Sequence, residues 1–103
     1  MQKLLNLLGL AMRANKVVTG EDFCVEGIRN GQVKYLFLAN DAGINTTKKI
    51  TDKANFYNVP VNMVFNTNEL STSIGKNNRK VIGITDIGFA KKIKEIGWNY
   101  GKR

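Results

Sequence analysis

Apolar positions along this 103-residue chain switch between helical and strand spacings, and the switches mark out its elements. Leu4, Leu5, Leu8, Ala11 and Met12 recur at three- and four-residue intervals, the stripe of an amphipathic first helix. Lys16-Val17-Val18 reads as a short strand. Thr19 with Asp22 has the spacing of a capping box, opening a second helix on which Phe23, Gly27 and Ile28 make the apolar face. Gly31 suits the left-handed residue that closes it. Gly27 costs roughly 1 kcal/mol against alanine inside a helix, which points to close packing on a neighbour.

Tyr35-Leu36-Phe37-Leu38-Ala39 is an unbroken apolar run, as expected of a strand covered on both faces. Asn45 is placed to cap a third helix that carries Ile50, Ala54 and Tyr57 inward. Asn58-Val59-Pro60 stops it, because the residue before a proline is pushed out of helical geometry. Val61, Met63 and Phe65 alternate with Asn62 and Val64 as a strand. Asn66 with Glu69 caps a short helix through Ile74, Val81–Thr85 is another strand, and Asp86 caps a final helix carrying Phe89, Ile93 and Ile96. Helices alternating with strands predict an α/β protein, a three-layer α/β/α sandwich in one domain over residues 1–103.

Charge changes the picture from a fold to a function. Sixteen Lys and Arg face eight Asp and Glu, a net charge of +8 that attracts polyanions and that folding does not require. Cys24 is the only cysteine and there is no histidine, which excludes disulfide frameworks, Cys/His zinc clusters, Ser/His/Asp triads and Cys/His dyads. Cys24 itself has Asp22 and Glu26 as nearest charges, the wrong sign for a reactive thiol, and is expected to pack as a small apolar residue. No apolar run approaches the roughly twenty residues of a membrane span, so a cytoplasmic protein without a membrane partner is expected.

The cations are unevenly placed. No acid occurs from Leu70 to Thr85, where Lys76, Arg79 and Lys80 surround Asn77-Asn78 in a basic, amide-rich loop. Lys and Arg there can neutralise phosphates, and Asn side chains can bond base edges. Lys48, Lys49 and Lys53 share one side of the third helix, opposite Ile50 and Ala54. Glu21 and Asp22, by contrast, put two carboxylates at a helix start that would otherwise attract anions. Carboxylates accept from the N1 and exocyclic amino groups of guanine, exposed where RNA departs from regular pairing. An acidic turn rimmed by Lys16, Arg29 and Lys34 fits a guanine reader inside a phosphate-holding rim. The same acids also serve as favourable charges at a helix start, which needs no ligand.

Several words along the chain share one resemblance: Leu8-Gly9-Leu10-Ala11, Thr19-Gly20-Glu21-Asp22, Arg29-Asn30-Gly31, Ala39-Asn40-Asp41-Ala42, Asn45-Thr46-Thr47-Lys48-Lys49-Ile50, Asn58-Val59-Pro60, Ile74-Gly75-Lys76 and Thr85-Asp86-x-Gly88-Phe89-Ala90. Together they resemble the bacterial branch of the L-seven-Ae ribosomal-protein family, in its YlxQ-type group. The resemblance implies a mixed four-stranded sheet within the sandwich. It also implies non-enzymatic binding of structured RNA, typically kink-turns with tandem G·A pairs, often in ribosomal particles. RNA contacts carried over from it are Gly20, Glu21, Asp22, Asn30, Asn45, Thr46 and the Lys76–Lys80 loop. Within this resemblance, Asp22-Phe23 stand where the best-known members have Asn-Glu, Glu26 where they have Lys, and Ser71 where a Gly is common. The expected partner is structured RNA, rRNA above all, bound by a monomer without a cofactor. The alternative is a protein-interaction module that docks an acidic partner on its basic surface.

Overall fold

The computed structural model describes residues 2–97; Met1 and residues 98–103 of the expected domain lie outside the described residues. The elements run α1 (Gln2–Arg13), β1 (Val17–Thr19), α2 (Glu21–Arg29), β2 (Tyr35–Leu38), α3 (Ile44–Phe56), β3 (Val61–Asn62), α4 (Thr67–Ser73), β4 (Val81–Ile84) and α5 (Ile87–Gly97). The strands form one mixed sheet in the order β1-β4-β2-β3. β4 lies antiparallel to both β1 and β2, and β2 lies parallel to β3. This is the α/β sandwich that the alternation of elements predicts.

Strand alternation divides the core into two layers. Tyr35, Phe37 and Ala39 of β2 and its end, with Ile82 and Ile84 of β4, face Leu4 and Leu8 of α1, Leu70 of α4 and Ile93 of α5. Leu36, Leu38 and Val81 point the other way, onto Cys24 and Ile28 of α2 and Ile50 of α3. The unbroken apolar run of β2 is thus explained, since all four of its residues are buried. Gly27 and Gly83 make room for one side chain. A Cβ on Gly27 would meet Val33 Cγ2 at 2.5 Å, and one on Gly83 would meet it at 2.8 Å. Val33 therefore sits in a slot between α2 and β4 that only two glycines leave open.

Local signals hold at some ends and fail at others. The box over α4 is present: the Asn66 side chain accepts from Glu69 N at 2.8 Å, and Glu69 Oε1 accepts from Asn66 N at 2.9 Å. Asp86 Oδ2 likewise accepts from Phe89 N at 2.9 Å, and Gly31 follows α2 at φ 83°. The expected box at Thr19–Asp22 does not form. Thr19 pairs with Ile82 in the sheet, and Gly20 becomes the N-cap without a side-chain bond. α3 is capped by Gly43, so Asn45 lies inside the helix and caps nothing. Tyr57 falls past the last turn of α3 and is exposed rather than inward. The alternation expected over Val61–Phe65 is also reversed in part. β3 ends at Asn62, which is buried with its amide on the Tyr35 hydroxyl at 3.3 Å, while Met63 is exposed.

Candidate nucleic-acid interface

Gly20 is the pivot of the site. Its φ of 98° and ψ of 149° lie in a region that essentially only glycine occupies. Gly20 N donates to Val81 O at 2.9 Å and Gly20 O accepts from Cys24 N at 3.0 Å, so one residue leaves the sheet edge and starts α2. That turn sets Glu21, Asp22 and Phe23 at the end of the sheet where β4 begins.

The two carboxylates are not equivalent. Glu21 Oε1 accepts from Thr46 Oγ1 at 2.8 Å and Glu21 Oε2 lies 3.1 Å from Lys49 Nζ, tying α2 to the start of α3. The Thr46 hydroxyl first, and Lys49 after it, hold the Glu21 carboxyl below its ordinary value. Asp22 is 97% exposed, with Lys49 Nζ at 3.9 Å as its ion-pair partner. Asp22 is the more exposed of the two carboxylates, against 34% for Glu21.

Opposite stands the loop before β4. Asn78 takes a left-handed turn at φ 53°, and Lys80 Nζ donates to Asn78 Oδ1 at 2.8 Å. Ser71 Oγ accepts from Arg79 N at 2.7 Å and donates to Arg79 O at 3.3 Å, so α4 fixes the loop. Ser71, where the resembled family often has glycine, is here the post that anchors Arg79. Among the described residues Arg79 Nε is buried without a hydrogen-bond partner, while Nη1 donates to Asn77 O at 3.3 Å. Between turn and loop lies a cleft of about 420 Å³, with Thr19, Gly20, Glu21, Phe23 and Thr46 on one side and Asn78, Arg79, Lys80 and Val81 on the other.

The cleft thus gathers Gly20, Glu21, Thr46, Arg79 and Lys80, with Asp22 beside them and Lys76 and Asn77 in the same loop. Asn45 is exposed on the first turn of α3, and Lys48 turns toward Asp52 at 3.4 Å. The expected rim does not close around this turn. Lys16 precedes β1 and Lys34 precedes β2, at the opposite end of the sheet, where Thr85 N donates to Lys16 O and Lys34 N to Ile84 O. Arg29 and Asn30 stand at the far end of α2, roughly 12 Å along its axis from Glu21 at 1.5 Å per residue.

Sequence reasoning missed Phe23 and Lys49. Phe23 was expected inward, yet it is 73% exposed beside Gly20, because α2 buries Cys24, Gly27 and Ile28 instead. The i, i+3, i+4 spacing of those three residues is the signal for that face. Lys49 was one of a row of three lysines, and its spacing of three from Thr46 is what brings both to Glu21. Cys24 is buried as expected, and burial pushes its thiol up to about 12, far from reactive.

No described helix is long and apolar enough to cross a membrane, and the described residues hold no cluster of three metal-ligating side chains. The model of the ribosomal protein L7Ae/L30e/S12e/Gadd45 family matches residues 2–94. RNA-binding protein YlxQ of Enterococcus faecium is 53% identical over 95 residues, 92% of this chain and 91% of that protein. RNA-binding protein YlxQ of Bacillus subtilis (strain 168) is 52% identical over 87 residues, 84% of this chain and 87% of that one. A protein with unknown function from Bacillus halodurans has the same fold at a TM-score of 0.89 and 46% identity, over 93% of this chain and 97% of its own. The Giardia lamblia 15.5kD RNA binding protein aligns at a TM-score of 0.82 over 92% of this chain and 82% of its own, and at 18% identity that likeness concerns the fold alone. With a match of this extent, the chain belongs to the ribosomal protein L7Ae/L30e/S12e/Gadd45 family.

Proposed function

We propose that the protein is a non-enzymatic, single-domain binder of structured RNA, and that the cleft between the Gly20 turn and the Asn78 loop is its contact surface. The observation that carries this reading is an exposed carboxylate beside a basic cleft: Asp22, 97% exposed with Lys49 Nζ at 3.9 Å, follows the Gly20-Glu21 turn that forms one wall, and Arg79 and Lys80 line the other. Asp22 accepts from the N1 and amino edge of a guanine, and the cations neutralise the flanking phosphates. Glu21 has both oxygens engaged and acts as the tie that positions its neighbour. The relatives named RNA-binding protein support the partner class. On this reading the protein works in the cytoplasm as a monomer, on rRNA or another kink-turn-like element, in association with the ribosome.

Titrating a kink-turn RNA and a straight duplex of equal length over a range of salt tests the proposal. Tighter binding of the kinked RNA that persists as salt rises is the expected result. Equal, weak binding of both with a steep salt slope would reduce the site to unspecific attraction.

A further inference from the structure

The end of the sheet away from the Gly20 turn carries a second cleft, of about 270 Å³, between the last turns of α2 and α3. Ile28 and Val33 beneath it are buried, and Arg29, Lys34 and Tyr57 line its mouth. Next to Tyr57 stands Phe56, 77% exposed, with the two ring centroids 4.9 Å apart in an edge-on pair. Lys53 lies in the same last turn of α3.

The cations alone have a structural explanation. Helix C-termini carry partial negative charge, and Lys34 Nζ donates to Gly31 O at 2.7 Å. The rings have none. Phe56 is 77% exposed and Tyr57 41%, so both rings present apolar surface to water. Aromatic faces flanked by Lys and Arg are the means by which proteins hold unpaired nucleic-acid strands, the bases stacking on rings and the cations following the backbone. A duplex keeps its base faces covered, so such rings reach only unpaired bases. A second copy of this chain would bring another +8 to the same surface, which argues against self-association there.

We propose that Phe56 and Tyr57, with Arg29, Lys34 and Lys53, form a second RNA contact that takes an unpaired strand. The proposal rests on the RNA-binding reading of the first cleft. One molecule then holds a folded element at one end of its sheet and a single-stranded segment at the other.

The test uses the full chain, labelled oligouridine and a labelled kink-turn hairpin closed by a loop and without single-stranded tails, each titrated by fluorescence anisotropy. Phe56→Ser with Tyr57→Ser is expected to weaken oligouridine about tenfold and to leave the hairpin unchanged. Lys34→Gln, whose side chain is exposed, weakens oligouridine in the same sense, and Tyr57→Phe retains wild-type binding because the ring is kept. Arg79→Glu with Lys80→Glu produces the reverse pattern, loss of the hairpin with oligouridine retained. Oligouridine binding indifferent to the rings, or lost together with the hairpin in the Arg79/Lys80 variant, overturns the second site and leaves the first standing. Polyglutamate that competes at the rings where oligouridine does not would assign the surface to an acidic protein and overturn the proposal. If neither RNA binds, the RNA-binding reading fails with it.

Discussion

The two ends of the sheet both carry lysine and arginine, but they are held together by different kinds of bond. At the Gly20 end, side chains tie elements distant in sequence: Thr46 to Glu21, and Thr67 to Asp41, whose Oδ1 accepts from Thr67 Oγ1 at 2.6 Å, while Ser71 holds Arg79 eight positions on. At the Lys34 end the backbone pairs across the sheet, but the bonds of the exposed side chains are local. Gln32 N donates to Asn30 Oδ1, Lys34 reaches Gly31, and Arg29 pairs with Glu26 at 3.6 Å within one turn of α2. Non-local ties fix one shape before a ligand arrives, which favours recognition of a defined RNA geometry. Local ties leave long cationic side chains in water, which suits a strand bound through stacking and charge.

The largest expected effect separates the ends by charge. On the RNA-binding reading, Arg79→Glu with Lys80→Glu would remove two charge-assisted phosphate contacts, together about 3 kcal/mol, so a kink-turn hairpin is expected to bind ~100-fold more weakly. The salt slope should flatten by about two. Lys16→Glu with Arg29→Glu, at the other end, should change hairpin affinity less than threefold or so, the scale of long-range screened charge. Equal losses from the two pairs would mean that one RNA spans both ends, and the division would collapse.

Backbone geometry gives the next effect. Gly20→Ala forces a Cβ into the region at φ 98° and ψ 149°, at a cost of about 1–3 kcal/mol. Urea denaturation should show that loss, and hairpin binding should fall further because the turn aims Asp22. Arg29→Ala, which removes an exposed pair 57% and 65% in water, should stay within about 1 kcal/mol. A Gly20→Ala protein of wild-type stability would show that the turn stores no strain.

The same division decides what could be read in the sequence. Asn66 with Glu69, Asp86 with Phe89 and the run Tyr35–Ala39 are determined by residues within a few positions, and the structure has them as expected. The box at Thr19 looked as sound by spacing. It lost because Thr19 is paired with Ile82 of β4, more than sixty positions on in the chain, and the chain turns into α2 one residue later, at Gly20. Phe23 followed from that shift, since a different first residue turns a different face of α2 inward. Glu21 and Asp22 were singled out together, but only contacts with α3, twenty-five positions from Glu21 at Thr46, tell the engaged carboxylate from the open one. The rim of Lys16, Arg29 and Lys34 seemed close because those residues flank the turn in sequence. A helix and a strand carry them to the other end instead.

The smallest effect is a pH dependence of the tie itself. Thr46 and Lys49 hold the Glu21 carboxyl below its ordinary value of 4.5 in the folded state. A carboxyl so lowered binds protons more weakly folded than unfolded, so it contributes stability above the ordinary value and loses it as pH falls through the folded one. Because Glu21 is about a third exposed, the contribution is discounted to under about 1 kcal/mol. Asp41, also lowered, chiefly by Thr67, adds a slope of the same sign. Subtracting a Glu21→Gln variant removes that background, since Asp41 is unchanged in both proteins. The stability difference between wild type and variant should be constant from pH 7 down to about 5 and shrink below the ordinary carboxyl value. A difference that grows on acidification, or one that never varies, would show that Glu21 does not link α2 to α3 in solution. The non-local construction of the Gly20 end would then rest on other ties, those of Asp41 to Thr67 and Asn40 to Val64 among them.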